Sequence, residues 1–226
     1  VFDIVSKMFP NKSKDFVVVV DELNIALIKE LKSKDELKEI DSIAKTILHT
    51  LSAELMINVS IGIGSIADNI RDIKNSYKDA QSAISIGRIF DNDKHIINYN
   101  NLGIGRLIYQ LPPTLCKLFL SEVFSGEMKP IDYMENRNDA KGESKEKLDN
   151  DTILTVHKFF ENNQNVSETA RAMYLHRNSV VYRLDKVQRL TGLDIRVFND
   201  AVIFSIALMV KKYLDYCEDQ TRNSRN

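Results

Sequence analysis

The apolar residues of this 226-residue chain follow different periods in its two halves. Up to about residue 99, short apolar runs alternate with longer segments in which apolar residues recur every three or four positions. The short runs predict strands at 16–20, where β-branched residues indicate a buried strand, and at 56–63 and 95–99. The longer segments predict helices at 22–32, 35–51 and 70–86. Strands interleaved with helices indicate an α/β sandwich.

Helical periodicity dominates the second half of the chain. Residues 100–134 predict two helical pieces separated by Pro112-Pro113, and helical patterning returns from residue 151 to about residue 216. Residues 135–150 are nearly all polar or charged, which predicts a linker or mobile loop. The expected organisation is therefore an α/β domain over 1–99, a helical connector and polar linker over 100–148, and an all-α domain over 149–226.

Residues 165–190 have the spacing of two helices joined by a tight turn. Ser167 is a suitable N-cap for the first helix, and Ala170 is small enough to let two helices cross closely. Leu175 lies at the break between the helices, where we expect it to fill the core. The second helix, from Arg177 onward, carries one apolar stripe made of Val180, Leu184 and Val187. This is the layout of a helix-turn-helix, whose second helix enters the major groove of DNA.

The first turns of that second helix carry side chains suited to DNA. Arginine can bind guanine with two hydrogen bonds and asparagine can bind adenine, while hydroxyls and lysine bind phosphates. Residues 171–196 hold six basic and two acidic residues, a local charge of 6 − 2 = +4 against −1 for the chain. The alternative is a helical hairpin with a solvated charged face. The predicted DNA-binding residues are His176, Arg177, Asn178, Ser179, Tyr182, Arg183 and Lys186.

Two strings in this segment resemble the C-terminal DNA-binding domain of the sugar-diacid and purine-catabolism regulators, the CdaR/PucR type. They are Leu175-His176-Arg177-Asn178-Ser179 and Tyr182-Arg183-Leu184, with Gly192 further on. The strong part of this resemblance covers about residues 150–215. The stretch is similar, more loosely, to the Fis-type helix-turn-helix, in which a glycine usually occupies the turn. This chain has Tyr174 at that position. The resemblance implies a transcriptional regulator.

The first half of the chain resembles the latter part of a GGDEF (diguanylate cyclase) domain, on Asn58-Val-Ser60-Ile-Gly62 and on Asp79-Ala80 with Ala83. Active cyclases carry a Gly-Gly-Asp-Glu-Phe hairpin that holds the nucleotide and its metals. The counterpart is placed at residues 11–16, which lack both glycines and the paired acids. Without those carboxylates, two-metal nucleotidyl transfer has no ligand set. The resemblance implies a degenerate, N-terminally truncated domain that serves as a scaffold or dimer contact.

Composition excludes several other classes of protein. No apolar run approaches the roughly 18 residues that cross a bilayer, so we expect a cytoplasmic protein with no membrane contact. The two cysteines and four histidines are scattered, which predicts reduced thiols, no metal site and no cofactor. Gly62-Ile-Gly64-Ser-Ile-Ala67 formally fits a dinucleotide-binding motif, but no acidic residue follows a strand at the required distance. A tight strand-to-helix turn is the preferred interpretation of these glycines.

The expected function is sequence-specific transcriptional regulation without enzymatic activity or catalytic residues. One recognition helix covers only a few base pairs, so we expect a homodimer or higher oligomer on double-stranded DNA. The resemblance implies control of a sugar-diacid or related catabolic operon, with a small-molecule effector bound upstream of Val1. Two alternatives stay open. One is a ligand-binding or protein-interaction module that binds a nucleotide without catalysis, and the other is an enzyme with residual cyclase or phosphodiesterase activity.

Overall fold

A computed structural model describes residues 1–31, 37–91, 94–125 and 148–223. The chain divides into two compact units, Val1–Tyr109 and Gln110–Asn226, and each is described by itself. Most of the predicted polar linker, residues 135–147, lies outside the described residues. Within the described part, no helix combines the length and apolar character that spanning a membrane requires.

The first unit alternates helices with short strands, as the apolar pattern predicts. Its helices are α1 (Phe2–Met8), α2 (Leu37–Leu55), α3 (Ile73–Phe90) and α4 (Ile104–Tyr109), and its strands are β1 (Asp15–Val19), β2 (Ile25–Lys29), β3 (Ile61–Ile63) and β4 (Ile96–Asn98). Strands β1 and β2 pair antiparallel with Phe16 opposite Ile28, whereas β3 and β4 pair parallel with Gly62 opposite Ile97. The first core forms where α1, α2 and the β1–β2 hairpin meet, around Val5, Ile47 and Leu51.

The helix predicted at 22–32 is wrong, because the described residues of this segment, 22–31, form a turn and strand β2. The Asp21 side chain accepts hydrogen bonds from the amides of Leu23 and Asn24, both at 2.8 Å, and so closes a turn directly after β1. Aspartate stabilises turns in this way because its side chain imitates a backbone acceptor. The chain therefore reverses, and the apolar residues that follow pair with β1 instead of continuing as a helix.

Two further expectations for this hairpin are also corrected. Its turn falls at residues 20–24, whereas the resemblance placed the counterpart of the Gly-Gly-Asp-Glu-Phe hairpin at 11–16. Strand β1 is not buried on both faces, because Val17 packs on the first core while Phe16 is 50% exposed on the other face. Among the described residues, no group of three or more His, Cys, Asp or Glu side chains could hold a metal ion.

The glycines of the apparent dinucleotide motif have a packing role. A Cβ at Gly62 would lie 2.1 Å from the Ala80 carbonyl oxygen, and a Cβ at Gly64 would lie 2.0 Å from that of Ser76. Both contacts are with the backbone of α3, which begins nine residues after Gly64. These glycines are therefore explained by close contact between the β3 region and α3 and not by the expected tight turn.

The second unit is entirely helical in its described residues. It contains α5 (Pro113–Ser125), α6 (Asn150–Glu161), α7 (Val166–Ala172), α8 (Arg177–Thr191) and α9 (Phe198–Asn223). Its core includes Phe159, Val180, Leu184 and Phe204, all almost completely buried. Helix α5, which the sequence assigns to the connector, packs on α9 in this unit, with the Phe124 and Phe204 rings 5.8 Å apart. The predicted fold class, an α/β domain plus an all-α helix-turn-helix domain, is confirmed.

Candidate nucleic-acid interface

Helix α7 begins at a polar cap and crosses α8 at a small residue. The N-cap is Asn165, whose side chain accepts from the amides of Ser167 at 3.0 Å and Glu168 at 3.1 Å. The predicted cap, Ser167, is wrong because the helix already begins at Val166. Ala170 is buried in the contact with α8, as expected for a residue that lets two helices approach closely.

The turn between α7 and α8 is made without glycine. Tyr174 adopts a left-handed backbone conformation with φ of +55°, and its amide donates to the Arg171 carbonyl at 3.1 Å. The next amide, that of Leu175, donates to the Ala170 carbonyl at 2.9 Å, and the Leu175 side chain packs on the second-unit core. Leu175 thus fills the predicted place, while Tyr174 is 97% exposed.

Helix α8 begins at His176, which caps it. The His176 Nδ1 atom accepts from the Asn178 amide at 3.3 Å, which assigns the ring proton of the neutral imidazole to Nε2. The side chains of Arg177, Asn178 and Ser179 are exposed, so the first turn of α8 presents polar groups outward. Four of the seven predicted DNA-binding residues therefore lie together on the surface at the start of this helix.

One side of α8 is buried and the opposite side is open. The predicted apolar stripe of Val180, Leu184 and Val187 is at most 1% exposed and packs in the core. On the other side Tyr182 is 58% exposed, and the Arg189 guanidinium lies 5.5 Å from its ring centroid. The buried stripe fixes how α8 is rotated, and this rotation turns Tyr182 toward solvent.

Two predicted DNA-binding cations are directed at α6 and its N-cap. The Arg183 guanidinium donates to the Thr155 hydroxyl at 2.8 Å and to the Asp151 carboxylate at 3.1 Å. The Lys186 ammonium lies 2.5 Å from the Asp149 carboxylate, and Lys186 is only 9% exposed. The hydrogen bond from Lys186 and those from Thr152 hold the pKa of Asp149 well below its usual range. These pairs attach α8 to α6.

The other charges of this segment are also largely paired. Arg171 pairs with Glu168 at 2.6 Å, and Arg196 pairs with Asp194 at 2.6 Å and Asp185 at 2.8 Å. Four of the six basic residues of 171–196 therefore have acidic partners. Arg177 has no ion pair or side-chain hydrogen bond among the described residues. Its guanidinium is thus available at the outward-facing start of α8.

Together, the short helix, the tight turn and the second helix with one buried stripe define a helix-turn-helix domain. A family model described as the PucR C-terminal helix-turn-helix domain matches residues 152–210. A second model, a GGDEF-like domain, matches residues 1–86. These two matches confirm the domains inferred from the sequence, a GGDEF-like domain followed by a PucR-type C-terminal helix-turn-helix domain.

Curated relatives are consistent with this assignment. The chain is 24% identical over 164 residues to the purine catabolism regulatory protein of Bacillus subtilis, covering 73% of this chain and 28% of that protein. It is 35% identical over 65 residues to the carbohydrate diacid regulator of Escherichia coli, covering 28% and 17%. With the proline-responsive transcriptional activator PutR of Bacillus subtilis it shares 22% identity over 199 residues, covering 87% and 45%. The chain thus spans less than half the length of each of these relatives.

One solved structure, that of a regulator of polyketide synthase expression from Bifidobacterium adolescentis, aligns with 91% of this chain and 76% of that chain. The sequence identity is 15% and the TM-score is 0.31, so the alignment adds nothing to the assignment.

Proposed function

We propose that this protein is a transcriptional regulator that binds double-stranded DNA through α8 of its helix-turn-helix domain. The observation that carries the proposal is the exposed first turn of α8 on a helix whose opposite side is buried. Helices of this class read base edges in the major groove mainly through their first turns. The domain match and the regulatory relatives support the same function.

Within this proposal the seven predicted contact residues have different roles. Arg177 and Asn178 are suited to read bases, since their side chains are exposed and can each make two hydrogen bonds to a purine. Ser179 and Tyr182 carry exposed hydroxyls suited to phosphates. His176 chiefly caps the helix. Arg183 and Lys186 support α8 on α6, because their charged groups are held by Asp151 and Asp149.

The controlled genes and the assembly also belong to the proposal. A homodimer or higher oligomer would bring two recognition helices to two half-sites, which the affinity of such domains usually requires. The names of the relatives refer to purine catabolism, carbohydrate diacids and proline. We infer that a sugar-diacid or similar catabolic operon is controlled in response to a small metabolite.

The deciding experiment is a fluorescence-anisotropy titration of this chain with DNA from upstream of its own operon and with random DNA. We expect tighter binding to the operon DNA, and we expect Arg177→Ala to weaken that binding by about 1–3 kcal/mol. The loss on random DNA should be smaller, because base contacts exist only at the true site. Circular dichroism of each variant confirms that it is folded.

Lys186→Met is the matched control, because it removes a charge from the same helix but from a side that faces α6. We expect its DNA affinity to equal that of the unsubstituted protein. Equal affinity of the Arg177→Ala variant for operon DNA would contradict the residue assignment. No binding to either DNA at low salt, by a folded protein, would contradict the function and favour an interaction module.

A further inference from the structure

Tyr174 combines two features that are unfavourable for an isolated folded domain. Its φ of +55° is a conformation that bulky side chains rarely adopt, and its side chain is 97% exposed. Among the described residues its side chain has no hydrogen bond or ring contact that would offset the strain. Glycine or asparagine would take the same backbone conformation more easily. The packing of the second unit therefore gives no reason for a tyrosine here.

The position of Tyr174 in the fold suggests what the side chain contacts. Backbone hydrogen bonds from Tyr174 and Leu175 close the end of α7, and the buried Leu175 side chain anchors the turn. Tyr174 therefore stands at a fixed place, two residues before the cap of α8 and three before Arg177. Strained residues held by rigid surroundings cluster at active sites, ligand clamps and switch regions.

We propose that Tyr174 is a DNA-backbone contact whose hydroxyl donates a hydrogen bond to a phosphate beside the bases read by α8. A phosphate diester offers only acceptor oxygens, so a phenol hydroxyl is a suitable neutral donor. This inference rests on the proposed function, and it adds a residue that the sequence pattern assigns only to the turn.

A phosphate contact of Tyr174 can be distinguished from the base contacts of Arg177 by how the loss of each changes DNA affinity. A phosphate contact carries no sequence information, so its loss should weaken binding to operon DNA and random DNA by the same factor. The hydroxyl is uncharged and releases no counterion, so the salt dependence of binding should not change. The loss of Arg177, in contrast, should act mainly on operon DNA and change the salt dependence.

The strain at Tyr174 supplies a second, independent readout. Asparagine tolerates a left-handed conformation, so Tyr174→Asn should leave the folded protein at least as stable while removing the contact. Met56 offers a matched control in the first unit, because it has φ of +54° and is 93% exposed. Met56→Asn should relieve similar strain and leave DNA affinity unchanged.

The experiment measures anisotropy of the whole chain and its Tyr174→Phe, Tyr174→Asn and Met56→Asn variants on operon DNA and random DNA at several salt concentrations. We expect Tyr174→Phe and Tyr174→Asn to weaken binding about tenfold on both DNAs, the effect of one hydrogen bond to a charged group. The slope of affinity against salt should stay that of the unsubstituted protein. Thermal unfolding should give the Tyr174→Asn variant a midpoint no lower than that of the unsubstituted protein.

Each of the following outcomes would overturn the inference, and each shows which part of it is wrong. Unchanged affinity of both Tyr174 variants would exclude the contact while leaving the proposed function intact. A loss for Tyr174→Asn without a loss for Tyr174→Phe would exclude the hydroxyl as donor. A loss confined to operon DNA would exclude a phosphate contact, and failure of the folded, unsubstituted protein to bind any DNA would overturn both this inference and the proposed function.

Discussion

Single residues with left-handed backbone conformation stand at both ends of α8. Tyr174 precedes the helix in the turn, and Gly192 follows it with φ of +75°. The Gly192 amide donates to the Gln188 carbonyl at 2.8 Å, which ends the helix in the usual way. A Cβ at Gly192 would meet no atom within 4 Å. The requirement for glycine there thus comes from the backbone conformation alone.

We therefore predict that Gly192→Ala lowers the free energy of unfolding by about 1 kcal/mol, the strain of an L-residue in this conformation. Urea denaturation followed by circular dichroism measures the change. Gly192→Asn is the control and should lose less, because asparagine tolerates positive φ better than alanine. An alanine variant as stable as the unsubstituted protein would mean that the helix can end in another conformation.

At the scale of elements, one carboxylate in the contact between α6 and α8, that of Asp149, has two partners. Asp149 Oδ1 accepts from the Thr152 amide at 2.7 Å and so caps α6, while Oδ2 accepts from Lys186 at 2.5 Å. Lys186 is almost fully buried, and loss of the Asp149 charge would remove an acidic partner from an ammonium that has little water around it. Asparagine can replace the capping function of Asp149 but not its charge.

We predict that Asp149→Asn lowers the free energy of unfolding at neutral pH by about 1 kcal/mol, which is the upper end of the contribution that a partly exposed ion pair makes. The folded-state pKa of Asp149 lies below that of an unfolded aspartate, near 3.9. Its charge therefore stabilises the fold above about pH 4, and this contribution is lost as the pH falls below that value. In urea denaturation at pH 7, 5 and 3, the free energy of unfolding should fall less with decreasing pH in the variant than in the unsubstituted protein. An equal fall in both proteins would contradict a stabilising role of the Asp149 charge.

A second element contact, between the β3 region and α3, tolerates no side chain at Gly64. A Cβ there would overlap the Ser76 carbonyl, a backbone atom that cannot rotate away. We predict that Gly64→Ala destabilises the first unit by about 2–3 kcal/mol, as overpacking of a rigid site does. Gly87→Ala should cost less, because its nearest contact is the Ile97 side chain, which can change rotamer. Thermal unfolding of both variants tests this order.

The elements that sequence could predict are those whose pattern is local. The stripes of α2, α3 and α8 identify these helices because a helix that packs on one side repeats its apolar residues at short intervals. Residues 22–32 were misassigned because a side-chain bond from Asp21 reverses the chain. The pairing of Lys186 with Asp149 could not be predicted, because Asp149 lies 37 residues away in sequence. The turn of the candidate site could be predicted, but not the residues that cap its helices or which of its cations are already paired.

For the whole molecule, the paired charges change the expected strength of non-specific DNA binding. The +4 charge of residues 171–196 omits Asp149, Asp151 and Glu168, which pair with cations of that segment. Residues 148–223 contain ten Lys or Arg and ten Asp or Glu, so their net charge is 10 − 10 = 0. Attraction to phosphates therefore depends on where individual cations lie and not on an overall positive charge.

This balance predicts a weak salt dependence on random DNA. Four of the six cations of 171–196 are held by acids, so no more than two of the six could neutralise phosphates without giving up one of these ion pairs. Each neutralised phosphate contributes about −0.9 to the slope of log affinity against log salt, so we expect a slope no steeper than about −2 per bound chain. All six cations on phosphates would give about −5. Anisotropy titrations between roughly 50 and 200 mM salt, with the number of bound chains measured in parallel, separate these values.

Asp151→Asn is the informative variant in the same titration, because it removes the carboxylate that pairs with Arg183. We expect its slope to steepen by up to about one per bound chain, as one more cation becomes available to phosphate. If the unsubstituted protein already shows a slope near −5, Arg183 and Lys186 must exchange their acids for phosphates on DNA. DNA binding would then break the ion pairs between α6 and α8, and α8 would enter the groove without them.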